Sequence, residues 1–157
     1  LLQSESCTYH PVLQKTTTGQ IVEELQSFFL NHPVARNKTI QFPAAYPDLS
    51  LETDMSLVLR VLCNMITNAL EATRENGTVK VWIEEKDGLL SFSVWNSKAI
   101  PQDITRRIFQ RNFSTKEGAG RGVGTYSMKL FGEQILGGQI SFTTSEEDGT
   151  AFRFSLP

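Results

Sequence analysis

Residues 64–72 read NMITNALEA, a helix-forming run that carries two asparagines four apart and a glutamate three further on. Apolar residues recur at helical spacing from about 53 to 74, which predicts one long helix ended by Asn76-Gly77. At about 100° per residue, Arg60, Asn64, Thr67, Asn68 and Glu71 share one arc. Val58, Leu59, Leu62, Met65, Ile66, Ala69 and Leu70 fill the opposite arc, which is expected to pack on a sheet. The polar arc faces either water or a ligand. Solvated helix faces usually carry Lys and Glu, whereas each mid-helix Asn costs about 0.5 kcal/mol against Ala. An amide oxygen is a neutral, hard ligand suited to Mg²⁺, which takes one or two protein groups alongside phosphate oxygens.

Upstream, IVEELQSFFL repeats apolar residues at helical spacing behind Thr18, a plausible cap, and predicts a helix over about 19 to 31. KTIQF (38–42) alternates as a strand does. Downstream, TVKVWIEEK and LLSFSVW flank Asp87-Gly88, a two-residue hairpin signal, and predict strands near 78–86 and 89–95. VGTYSMKLFGEQIL is helical, Gly137-Gly138 caps it, and QISFTTS with TAFRFSL forms a second hairpin around Glu147-Asp148-Gly149. The expected fold is an α/β two-layer sandwich, a mixed sheet with helices on one face. Residues 1–17 read as a linker or an entering edge strand and 18–157 as the domain.

A chain of 157 residues, 39% hydrophobic and 20% charged, has the composition of one globular domain rather than a disordered chain. The net charge of −2 and the scattered Lys and Arg residues argue against nucleic acid as a partner. No apolar run approaches the roughly 20 residues needed to cross a bilayer. Cys7 and Cys63 have no metal-type spacing and read as free thiols, favouring a reducing cytoplasm.

A second constellation is IFQRNFSTKEGAGRGVGTYSMK (108–129), in which aromatics precede a hydroxyl-rich and then a glycine-rich stretch leading into a helix. Gly120, Gly122 and Gly124 would let backbone N–H groups approach phosphate oxygens; a mobile surface loop is the competing reading. The pattern is neither a Walker A motif nor a dinucleotide-binding fingerprint.

Together these segments resemble the catalytic ATP-binding domain of bacterial sensor histidine kinases, within the ATPase superfamily shared with gyrase and the heat-shock chaperone. NMITNALEA resembles the family's N box; Ile108, Phe109, Phe113, Ser114, Thr115 and Lys116 its F box; GRGVG its G2 box. The terminal pattern Gly137, Gly138, Gly149, Thr150, Phe152, Leu156, Pro157 extends the resemblance over roughly 18 to 157. It implies a Bergerat-type ATP-binding fold with ATP and Mg²⁺ as cofactors. By it, Asn68 would ligate the metal and Asn64 would face the phosphates, with Asn64 and Lys116 as the catalytic pair. Asn96, Ile100, Phe109, Ser114, Thr115, Lys116, Gly120, Arg121, Gly122, Val123, Gly124 and Thr125 would complete the ATP contacts, Phe109 and Phe113 anchoring a lid. Hydrolytic members carry a glutamate at the place of Asn64, and an amide is no base near pH 7, so ATP should be held for another acceptor.

The chain departs from the family at VWNSKAIP: Asn96 stands where an adenine-reading aspartate is expected, and Lys98 and Ala99 replace glycines. Neither His10 nor His32 resembles a phosphoacceptor, since proline follows each. The resemblance therefore implies a phosphoacceptor and dimerisation domain outside this chain, a response regulator as partner, and a homodimeric full-length protein with room for a membrane anchor. A nucleotide-poor docking module of the same fold and an anti-sigma-type serine kinase are the alternative readings.

Overall fold

In the computed structural model, residues 10–109 and 123–157 are described. The chain runs β1 (Gln14–Thr17), α1 (Thr18–Phe29), a 3₁₀ turn (Pro33–Ala35), β2 (Thr39–Gln41), β3 (Ser50–Thr53), α2 (Met55–Glu71), β4 (Thr78–Lys86) and β5 (Leu89–Asn96). It continues through α3 (Gln102–Thr105), α4 (Val123–Lys129), a π-helical segment (Leu130–Ile135), β6 (Gln139–Ser145) and β7 (Gly149–Leu156).

Five strands form one sheet in the order β2-β4-β5-β7-β6, while β1 and β3 pair antiparallel as a separate ribbon. β2 lies parallel to β4 and the remaining neighbours are antiparallel, so the sheet is mixed. Asp87 and Gly88 both have positive φ, the backbone that a tight two-residue hairpin demands. Alternation then sorts the faces. Val79, Val81, Ile83, Leu90, Phe92, Val94, Ile140, Phe152, Phe154 and Leu156 are buried on the helix side. Lys80, Glu84, Ser141, Thr143 and Arg153 are exposed on the other. The result is a two-layer α/β sandwich, as the hydrophobic pattern predicts.

α2 is the central covering helix. Asp54 caps it: Oδ1 accepts from the Leu57 N–H (3.2 Å) and Oδ2 from the Val12 N–H (2.9 Å). At the other end the Lys38 ammonium donates to the Leu70 carbonyl (2.7 Å), which also accepts from the Thr73 N–H (3.1 Å). Leu57, Val58, Val61, Leu62, Met65, Ile66, Ala69 and Leu70 are buried. The inner arc is therefore centred nearer Leu57 and Val61 than the wheel suggests, and Leu59 is half-buried.

Three local expectations shift. The N-cap of α1 is Thr17, whose hydroxyl accepts from the Gln20 N–H (3.1 Å) while Gln20 Oε1 accepts from the Thr17 N–H (3.0 Å), a reciprocal capping box. Thr18 is already helical and fully buried, its hydroxyl accepting from the Leu49 N–H (3.1 Å). The helix after Val123 is α-helical only to Lys129 and then widens, with Leu136 donating five residues back to the Phe131 carbonyl (2.9 Å). The wide turn brings Gly132 against Ile140 and Phe154, where a side chain would crowd both. Gln14–Thr17 pairs with β3 through the Leu51 segment, which has too little alternation to read as a strand by itself.

Candidate functional site

α2 sets the first half of the site. Asn64, Thr67, Asn68 and Glu71 are half-buried along its outer arc, and the Asn68 Nδ2 is closed off from water. Arg60 heads the same arc, but its guanidinium lies 4.9 Å above the Phe131 ring, tying α2 to the π-helical segment. Beside the asparagines, burial pushes the Cys63 thiol up to about 11, so it stays protonated and poorly nucleophilic near neutral pH.

The end of β5 sets the second half. Asn96 is paired with Thr150 across β5 and β7, shares the helix-covered face with Phe92 and Val94, and is 5% exposed. Its Oδ1 accepts from the Lys98 N–H (3.0 Å), an Asx turn that bends the chain out of the strand. The following loop is held from below by two threonines. Thr150 Oγ1 donates to the Lys98 carbonyl (2.7 Å), lies 2.8 Å from Thr144 Oγ1, and Thr144 Oγ1 accepts from the Ile100 N–H (2.8 Å). Gly149 makes this close packing feasible: its φ is +81°, and a Cβ there would run into the Asn96 carbonyl oxygen.

Phe109 ends the described residues before the glycine-rich segment. Its ring stands 5.7 Å from Phe142 and 6.1 Å from Phe152, edge-to-face with both, and Lys129 Nζ sits 5.0 Å above it. The aromatic cluster joins the start of that segment to β6, β7 and α4. α4 opens at Val123, and Thr125 is half-buried in its first turn. Ser114, Thr115, Lys116, Gly120, Arg121 and Gly122, with Phe113, fall outside the described residues, as do the side chain of Val123 and the surroundings of Gly124.

Among the residues named from sequence, the structure thus sets Asn64 and Asn68 on one helix face, and Asn96 and Ile100 on the turn where β5 leaves the sheet. Thr144 was missed. The structure pairs Ser145 with Gly149, so the turn is centred on Glu147 and Thr144 faces Thr150; a turn over Glu147-Asp148-Gly149, as the sequence suggests, would instead set residue 146 opposite 150. The donor set fits a magnesium nucleotide in kind. Neutral amide oxygens on α2 are the class of ligand Mg²⁺ accepts beside phosphate, and the Asn96 amide is a hydrogen-bonding group of the sort that reads a base edge. Among the described residues no cluster of three His, Cys, Asp or Glu side chains offers a rival metal site.

A mixed sheet with one helix-covered face and two asparagines on the outer arc of its central helix defines a two-layer α/β sandwich. Residues 53–157 match the family model of the histidine kinase-, DNA gyrase B- and HSP90-like ATPases, and the chain belongs to that family. Its similarity within the family is to sensor histidine kinases. A probable C4-dicarboxylate sensor kinase of Halalkalibacterium halodurans is 29% identical, over 88% of this chain and 24% of its own length. The sensor histidine kinase WalK of Bacillus subtilis is also 29% identical, with the same two coverages. Among solved structures, the nucleotide-free catalytic domain of histidine kinase ThkA matches at TM-score 0.77 and 29% identity, covering 93% of this chain and 95% of that domain. ThkA in complex with the response regulator TrrA matches at TM-score 0.73 and 27% identity, covering 94% of this chain and 42% of that one. The chain spans about a quarter of the length of these curated relatives.

Proposed function

We propose that this chain is the ATP-binding catalytic domain of a two-component sensor histidine kinase, transferring the γ-phosphoryl group of ATP to a histidine on a dimerisation domain outside it. The observation that carries the reading is the Asn64/Asn68 pair on the outer face of α2 in a member of this ATPase family. In this reading Asn68 holds Mg²⁺ and Asn64 faces the phosphates. Both are amides, so neither can act as the base that activates water, and the nucleotide is kept for the phosphoacceptor. Lys116 acts with Asn64 on the transferring phosphoryl group, where catalysis is mostly positioning and charge neutralisation. Phe109 and Phe113 anchor the lid, and the 120–125 segment contacts phosphate.

Residues 1–17 lead in from the dimerisation domain, the last four of them as strand β1 on β3, a response regulator receives the phosphoryl group, and the full-length protein works as a homodimer with this domain in the cytoplasm. Among the described residues no helix is long and apolar enough to cross a membrane. The relative solved in complex with a response regulator supports the assigned partner.

Calorimetric titration with a non-hydrolysable ATP analogue, with and without Mg²⁺, tests the reading. Magnesium-dependent binding that Asn68→Ala abolishes is the expected result. A folded domain that binds no nucleotide would instead be a docking module of the same fold.

A further inference from the structure

We propose that Asn96 makes the nucleotide site indifferent to the purine 6-substituent, so that 6-oxopurine nucleoside triphosphates, GTP and ITP, bind alongside ATP. The inference rests on the nucleotide-site reading above, in which Asn96 meets the base, and deepens it by naming the substrate class.

The orientation of the Asn96 amide follows from its partner. A backbone N–H can only donate, so the side-chain atom 3.0 Å from the Lys98 nitrogen is the amide oxygen, and Nδ2 occupies the opposite end. The Lys98 N–H is itself held in place. Thr150 has one hydroxyl hydrogen and gives it to the Lys98 carbonyl, so the 2.8 Å contact with Thr144 requires the Thr144 hydroxyl to donate to Thr150. Thr144 then keeps a lone pair for the Ile100 N–H. Every donor in this circuit is used once. The loop from Lys98 to Ile100 is thereby stitched to β6 and β7 at both ends, and the amide cannot turn over without facing a donor with a donor.

A carboxylate at this position would present acceptors only. It would pair with the 6-amino group of adenine and repel the 6-oxo oxygen of guanine or hypoxanthine. The pinned amide still carries both functions side by side on its free edge: adenine pairs through its 6-amino group to the second lone pair of Oδ1 and through N1 to Nδ2, and a 6-oxopurine, shifted by one position along that edge, pairs through its 6-oxo oxygen to Nδ2 and through N1–H to Oδ1. At 5% exposure, water is poorly placed to mask a mismatch, so the chemistry of this one side chain sets the discrimination.

The test compares direct binding of ATP, GTP and ITP in the presence of Mg²⁺ to the wild-type chain and to Asn96→Asp. Wild-type dissociation constants within about tenfold of one another, and a GTP-to-ATP ratio raised about tenfold or more by Asn96→Asp, are expected. Wild-type binding of ATP with GTP and ITP about a hundredfold weaker overturns the inference and leaves the ATP-binding reading standing. An unchanged ratio in a folded Asn96→Asp variant also overturns it, by removing Asn96 from base recognition. Failure of all three nucleotides overturns the underlying reading together with this one. Should Asn96→Asp fail to fold, Asn96→Ala serves in its place: it is expected to weaken all three nucleotides, and unchanged affinities overturn the assignment.

Discussion

Cys63 shows how a residue beside a candidate site is kept out of its chemistry. It sits one position before Asn64, and burial alone raises its thiol to about 11. Alkylation of Cys63 in a Cys7→Ser variant should therefore be slow at pH 7 to 8 and accelerate only well above pH 9; mass spectrometry of the modified peptide against pH reads this directly. The sign for stability follows. The folded pKa lies above the ordinary value of 9.0, so the unfolded chain loses its proton first. The contribution of Cys63 is fully present below pH 9 and declines as pH rises from 9 to 11. Denaturation midpoints that rise over that interval on Cys63→Ala, relative to the unsubstituted chain, would agree with this account.

At the scale of the element, helix ends and the strand-end loop hold the site in place. Asp54 satisfies the first turn of α2 and also clasps the Val12 N–H. Its replacement by Ala should cost about 1–2 kcal/mol, by the usual loss of an N-cap, with urea unfolding as the readout. The loop after β5 depends on the threonine circuit instead. Thr150→Val keeps shape and removes the donor to the Lys98 carbonyl, so it should cost about 1–2 kcal/mol. It should also weaken nucleotide binding more than the Asp54 variant does, because Asn96 then loses its fixed partner; parallel titrations of the two variants separate stability from binding.

At the scale of the molecule, a nucleotide that binds only the folded chain must stabilise it by mass action. At a ligand concentration of about a hundred times Kd the gain is about 2.7 kcal/mol. A thermal melt with ATP and Mg²⁺ should therefore shift upward, and chelation of Mg²⁺ should remove the shift. A shift that survives chelation would argue against Asn68 as metal ligand. The layer arrangement suits such a site, because one sheet face packs under α2, α4 and the π-helical segment while the other leaves Lys80, Glu84 and Arg153 in solvent.

Much of this architecture was legible in the chain itself. Periodicity of 3.6 placed α2 to within three residues, alternation placed β4 to β7, and Asp87-Gly88 specified the first hairpin, since these signals are local consequences of burying one face. The asparagine pair was legible for the complementary reason: it breaks the pattern a solvated helix would show. Tertiary structure alone decided the rest. The parallel placement of β2 beside β4 and the pairing of β1 with β3 join segments distant in sequence, and three- or four-residue strands carry too little pattern to announce a partner. So too with Asn96: the sequence identified an odd amide at a strand end, but the direction of its oxygen depends on Lys98, Thr150 and Thr144, which only the folded sheet brings together.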